Sequence, residues 1–203
     1  MAIDLQIRCS CGALQGAVHG VSPIAGNRVI CYCDDCQAFA YFLGRAADIL
    51  DEYGGTEIYQ TSQGSVEFDA GANRLACMRL TSRGLVRWYA DCCNTPIGNT
   101  LSSTAIPFVG LIHRCFVRPA GDPTLNLALG SVRARAYRKF AKDAGSTLVA
   151  GENIPRLMLR FGRLVIRWRL RGDHRRSPFF DARTGTPIVE PRVLSDAERA
   201  KLR

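Results

Sequence analysis

Three cysteines within six residues, Cys31-Tyr32-Cys33-Asp34-Asp35-Cys36, constrain this chain more than any other stretch. Thiols spaced C-x-C-x-x-C converge on one point when a shared ion occupies it, and thiolate is a soft ligand suited to zinc. A tetrahedral ion held by three protein sulfurs keeps a fourth position for water or substrate, as catalytic sites do and closed structural sites do not. A disulfide or free core thiols are the competing uses of these residues, but a disulfide among an odd number of thiols strands one of them. Asp34 and Asp35 read as N-cap residues of a helix over 35–42 rather than as ligands. Cys36, near that helix N-terminus, gains further support for negative charge.

A second thiol group is split along the chain. Residues 3–8 alternate apolar and polar side chains, the pattern of a half-buried strand, and lead into Cys9-Ser10-Cys11-Gly12. The glycine permits a tight turn that brings backbone amides toward the sulfurs. Cys92 and Cys93, in Trp88-Tyr89-Ala90-Asp91-Cys92-Cys93-Asn94-Thr95-Pro96, supply the other half of a closed four-thiolate site. Neighbours on an extended strand point to opposite faces, so both reach one ion only if the chain turns sharply, which Asn94-Thr95-Pro96 allows. Cys77 and Cys115 lie alone in strand-like runs and read as small core residues. His19, His113 and His174 are scattered, and no general base is identifiable among them.

Strand-like runs at 13–20, 28–30, 57–61, 65–69, 75–81, 86–89 and 108–117, separated by turn residues, predict a mainly β, antiparallel body. The chain has no apolar run of the roughly 18 residues needed to span a bilayer and no leader pattern at its start. A cytoplasmic location is therefore expected, where nine cysteines point to metal before disulfides. The net charge of +9 is uneven. Residues 1–130 hold nine Arg against eleven acidic residues, whereas residues 131–176 hold thirteen basic against three acidic. Helices are expected over 131–147 and 155–171, the second with Leu157, Leu164 and Trp168 toward the core. Its Arg156, Arg160, Arg163, Arg167 and Arg171 form a basic stripe, either a solvated face or a surface that lies on a membrane or docks a polyanionic partner such as nucleic acid. Ser195 and Glu198 have the spacing of a capping box for a last short helix. The chain thus divides into a zinc-binding β domain over 1–125 and a basic helical extension over 126–203 packed on it.

Cys-x-Cys-Gly near the start, Cys-x-Cys-x-x-Cys after it and the later Cys-Cys-x-Thr-Pro element together resemble the glutathione-dependent formaldehyde-activating (GFA) enzyme family, which includes the centromere protein V group. The resemblance covers residues 5–120 and implies an Mss4-like fold of folded sheets around two zinc ions. By the same resemblance, Cys9, Cys11 and Cys93 match ligands of a structural zinc, and Cys31, Cys33 and Cys36 match the three ligands of a catalytic zinc. The family reads Cys-x-x-Cys-Gly-Thr-Pro where this chain has Ala90 at the earlier cysteine, with Cys92 as the candidate replacement. The expected activity is that of a zinc-dependent carbon-sulfur lyase, or the reverse addition, on an adduct of a small thiol and an aldehyde such as S-hydroxymethylglutathione. The contrasting expectation is a non-catalytic zinc module that docks a polyanion through the arginine stripe; a redox thiol switch at the triplet is the third.

Overall fold

Ile3, Leu5 and Ile7 alternate with polar residues along β1 (Ile3–Arg8), and this apolar face closes one side of the main core. A computed structural model describes residues 1–117, 123–142 and 154–202. After β1 come β2 (Gln15–Val21), β3 (Asn27–Cys31), β4 (Thr56–Ser62), β5 (Val66–Ala70), β6 (Leu75–Arg79), β7 (Val86–Ala90), β8 (Thr95–Thr100), β9 (Phe108–Ile112), β10 (Ala134–Ala136) and β11 (Arg192–Val193). They form two sheets, a small one in the order β1-β2-β5 and a large one in the order β10-β3-β4-β9-β8-β7-β6-β11. All pairings are antiparallel except the two outermost of the large sheet, β10 on β3 and β11 on β6, which are parallel.

The period of two sorts the large sheet into two faces. Val86, Trp88 and Ala90 of β7 and Val109 and Leu111 of β9 pack with Leu5, Ile7, Val18 and Val66 of the small sheet. Trp88 is fully buried there, its indole N–H donating to Thr100 Oγ1 at 2.9 Å. The opposite face receives α1 (Asp34–Phe42), followed by α2 (Ala46–Ile49). Cys33 occupies the N-cap of α1, its carbonyl accepting from the amides of Cys36 and Gln37, so Asp34 and Asp35 fall in the first turn rather than at the cap. There their charge still complements the helix dipole.

Beyond α3 (Thr124–Leu129) the helix expected over 131–147 is not formed in its described part. Ala134–Ala136 instead joins the large sheet beside β3, and Arg138–Phe140 makes a single 3₁₀ turn; 143–147 lie outside the described residues. Pairing with an open sheet edge outweighs intrinsic helix propensity here, since propensity is a weak prior. The second expected helix is present as α4 (Ile154–Leu170), with Leu164 and Trp168 buried and Leu157 half-buried. Phe161 of α4 packs edge-on against Phe108 of β9, centroids 5.5 Å apart. The run expected as one strand over 108–117 ends at Ile112 and turns through a 3₁₀ segment, His113–Cys115.

The residues after 125 do more than cover the body. They provide both edge strands of the large sheet, and Phe179 and Phe180 insert into the main core against Trp88, at 5.1 and 6.1 Å between centroids. Nor is the arginine stripe continuous. Arg160 turns inward, donating to Asn27 Oδ1, the Pro23 carbonyl and the Gly26 carbonyl at 2.6, 2.9 and 3.1 Å, and Arg171 engages Asp173 at 2.6 Å. Arg160→Met is expected to lower stability by about 1–3 kcal/mol in urea denaturation, because it strands partly buried acceptors. A change no larger than that of the exposed Arg163→Met would contradict this anchoring role. Ser195 caps α5 (Asp196–Ala200) in a reciprocal box with Glu198, as its spacing predicts. No helix among the described residues is long and apolar enough to cross a membrane.

Candidate metal centres

Cys9 and Cys11 emerge from the end of β1 into a tight loop. Gly12 sits at φ +80°, a left-handed conformation that a Cβ disfavours, and the turn it makes lets the Leu14 amide donate to Cys9 Sγ at 3.2 Å. Cys92 and Cys93 arrive from the opposite side on the turn between β7 and β8. Asn94 there has φ +54°, and this sharp reversal lets two adjacent cysteines face the same point. Thr95 joins the two halves, accepting from the Ser10 amide at 2.9 Å and standing 3.1 Å from Cys93 Sγ.

The Sγ atoms of Cys9, Cys11, Cys92 and Cys93 all lie within 4.8 Å of one another. Cys9 to Cys11 is 3.5 Å, Cys9 to Cys92 is 3.7 Å, Cys11 to Cys92 is 3.3 Å and Cys92 to Cys93 is 3.8 Å. A disulfide requires about 2.05 Å. Four sulfurs on a tetrahedral ion with metal-sulfur bonds of about 2.3 Å stand roughly 3.8 Å apart, so these thiols fit an ion and not a pair of cross-links. Ala90 is fully buried in the main core, and Cys92 is the residue that meets Cys9 and Cys11. Burial opposes ionisation of Cys93, but the Thr95 hydroxyl and the Cys11 amide outweigh it and bring the thiol down to about 6; burial and the surrounding thiols push Cys92 up to about 12.

The triplet forms where β3 passes into α1. The sulfurs of Cys31, Cys33 and Cys36 also lie within 4.8 Å of one another, with Cys31 to Cys33 at 3.4 Å. Cys31 and Cys36 are buried and Cys33 is half-buried. Contact with Cys33, and then burial, raise Cys31 to about 11. For Cys33 the contact with Cys31 favours the thiolate, yet Cys36 and burial prevail and raise it to about 12; Cys36 rises to about 12 through Cys31 and burial. Crowded thiols keep their protons until a cation takes the protons' place.

Whereas in the first group Cys9 lines a cleft of about 270 Å³, all three cysteines of the triplet line a larger one of about 480 Å³. Asp34 and Asp35 stand at its rim and Arg87, Asn99 and Gln60 on its sheet side, while Val29, Ile58 and Phe108 form apolar wall. Leu85 and Gly110 complete the wall together with Ala136, Tyr137 and Phe140, from the segment expected to be helical. That segment is tied down by the Tyr32 amide donating to the Ala136 carbonyl at 3.0 Å and by Gln37 Nε2 donating to the Phe140 carbonyl at 3.1 Å. Tyr137 adopts φ +58°, ψ +35°, unusual for an aromatic residue, and is exposed at the cleft.

Among the described residues no histidine lines this cleft. His19 lies on the small sheet between Asp4 and Glu67, and hydrogen bonding to Asp4 raises its pKa. The carboxylates beside the triplet are Asp34 and Asp35, whose positions in the sequence suggest helix caps. Arg87 and Asn99 were not anticipated either; the one signal for Arg87 is a charged residue between Val86 and Trp88 in a buried strand. Cys77 and Cys115 are buried core residues as expected, and neither joins a cluster.

Comparison with curated proteins gives no match. A crystal structure of a Rhodobacter sphaeroides protein, solved as a structural-genomics target, aligns with a TM-score of 0.40 and 16% identity, covering 65% of this chain and 100% of that one. Residues 1–191, which contain both thiol groups and the cleft, match a single family profile, and the chain belongs to that family, the family of unknown function DUF6151.

Proposed function

We propose that this protein is a zinc-dependent carbon-sulfur lyase, acting on adducts of a small thiol with an aldehyde or forming them in reverse. The observation that carries the reading is the difference between the two thiol groups. Four sulfurs converge from a loop of each sheet, whereas all three sulfurs of the triplet line the larger cleft. The first suits a closed structural ion and the second an ion with a free position, and soft thiolate donors favour zinc for both.

Cys31, Cys33 and Cys36 would hold the ion, which would supply a Lewis acid favouring the thiolate form of the substrate sulfur. The protein supplies the rest. In cleavage the carbon-sulfur bond breaks, its electron pair stays on sulfur, and the hydroxyl on the same carbon loses its proton as the carbonyl forms. We assign receipt of that proton to Asp34 and Asp35, carboxylates of the first turn of α1 that line the cleft.

Metal analysis should find two zinc ions per chain. After cobalt substitution, a small thiol such as glutathione or 3-mercaptopropionate should intensify the sulfur-to-metal charge-transfer band. The protein should also speed equilibration of thiol plus aldehyde with their adduct over matched buffer. Thiols that perturb the metal without accelerating that equilibration for any aldehyde tried would leave a non-catalytic zinc module.

A further inference from the structure

The sheet face beneath the cleft carries polar residues where a core carries apolar ones. Gln60, Gly110, Asn99 and Arg87 stand directly opposite one another on β4, β9, β8 and β7, making one row across four strands. All four line the cleft, yet Asn99 is 3% exposed and Arg87 2%. Gly110 keeps the middle of the floor low: a Cβ there would stand 2.8 Å from Ile58 Cγ2.

Burying a guanidinium is costly unless partners satisfy its donors. Arg87 has few. Nη1 donates to Asn99 Oδ1 at 3.3 Å, and the ring of Phe39 lies 5.5 Å from Cζ. Nη2 is 3.6 Å from Asp35 Oδ2, beyond hydrogen-bond range, and Asp35 is 58% exposed. The planar fork therefore retains donors for a carboxylate that approaches more closely than Asp35 does. Asp35 also fixes where this happens, because the next residue is Cys36 of the triplet.

We infer that Arg87 and Asn99 form an anion subsite, so that the ligand of this cleft is a short mercaptocarboxylate with an apolar body, its sulfur at the triplet and its carboxylate on the arginine. Among the described residues Arg87 is the one Lys or Arg lining the cleft, and the walls are apolar. One buried cation matches one carboxylate. Glutathione carries a second carboxylate for which the lining offers no second cation, and Asp34 and Asp35 at the rim disfavour it.

The assignment rests on the lyase reading for the thiol end alone, so its test has two arms. In the zinc-loaded protein, titration with propionate, which has no thiol, should move the Arg87 Nε–H resonance. In the cobalt-substituted protein, 3-mercaptopropionate should bind at least tenfold more tightly than its methyl ester. Arg87→Met should abolish that preference while leaving the ester's affinity unchanged, and Asp35→Asn should sharpen it by removing a competing carboxylate. Should Arg87→Met fold poorly, Asn99→Leu, expected to weaken the preference, replaces it. An unmoved Arg87 resonance, or equal affinities for acid and ester, overturns the subsite. A resonance that moves with propionate while no thiol perturbs the cobalt leaves the anion subsite standing and removes the lyase reading.

Discussion

Cys9→Ser or Cys11→Ser is expected to abolish cooperative unfolding of the β body at room temperature. Cys9 lies at the end of the small sheet and Cys92 at a turn of the large one, 83 residues apart in sequence, with sulfurs 3.7 Å from each other. An ion held there would fasten the two sheets at the rim of their shared core. Structural zinc contributes on the order of 10 kcal/mol to the folding of small peptides at neutral pH. That is comparable with the net 5–15 kcal/mol or so by which a whole domain is stable. Serine keeps the shape but is a poor ligand for a soft site. Circular dichroism melts and zinc content measured together decide the matter, with Cys77→Ser as control, since Cys77 is equally buried but belongs to neither group. If Cys9→Ser melts cooperatively near the parent temperature with one zinc lost, the four-thiol group is not what joins the sheets.

The triplet was legible because its information is local. Spacing alone places three sulfurs near one point once a strand turns into a helix, and Cys31, Cys33 and Cys36 do meet there. The four-thiol group was legible for a different reason. Each half holds two thiols, and four is the number a closed site needs. What permits the adjacent pair is one left-handed residue, Asn94, in the turn whose composition suggested it.

The cleft was not legible, and the cause is tertiary. Arg87 belongs to a strand whose alternate residues bury Trp88 on one side; on that pattern alone its own side faces solvent. It is buried because α1 lies over this face, with Phe39 beneath the guanidinium. Strand β8 was hidden inside Thr95-Pro96-Ile97-Gly98-Asn99, where Pro and Gly read as a turn, yet neighbours on both sides hold it extended. Ala134–Ala136 sits among good helix formers and becomes a strand because the edge of β3 lies open beside it. Residues that complete a site through pairing of distant strands leave no periodic trace of their purpose.

Cys33→Ser is the substitution expected to remove activity without removing the fold, and the reason lies in where Cys33 sits. It is the N-cap of α1, at φ −63° and ψ 148°, and its side chain caps nothing. The Cys33 carbonyl accepts from the amides of Cys36 and Gln37 at 2.9 and 3.2 Å, and a serine backbone keeps both bonds. Serine is also among the best N-cap residues, worth about 1 kcal/mol over residues that cannot cap, so the new hydroxyl offsets part of what the lost thiol contributed. Cys33 is half-buried, and little packing is disturbed. Cys36→Ser differs, since that thiol is 6% exposed and serine buries a hydroxyl in its place. For Cys33→Ser the zinc content should fall from two to one per chain and turnover of thiol-aldehyde adducts should drop at least a thousandfold, while the melting temperature moves by only a few degrees. Turnover that survives in a protein with one zinc places the chemistry elsewhere, and a collapse of the melt larger than that of Cys9→Ser reverses the roles of the two centres.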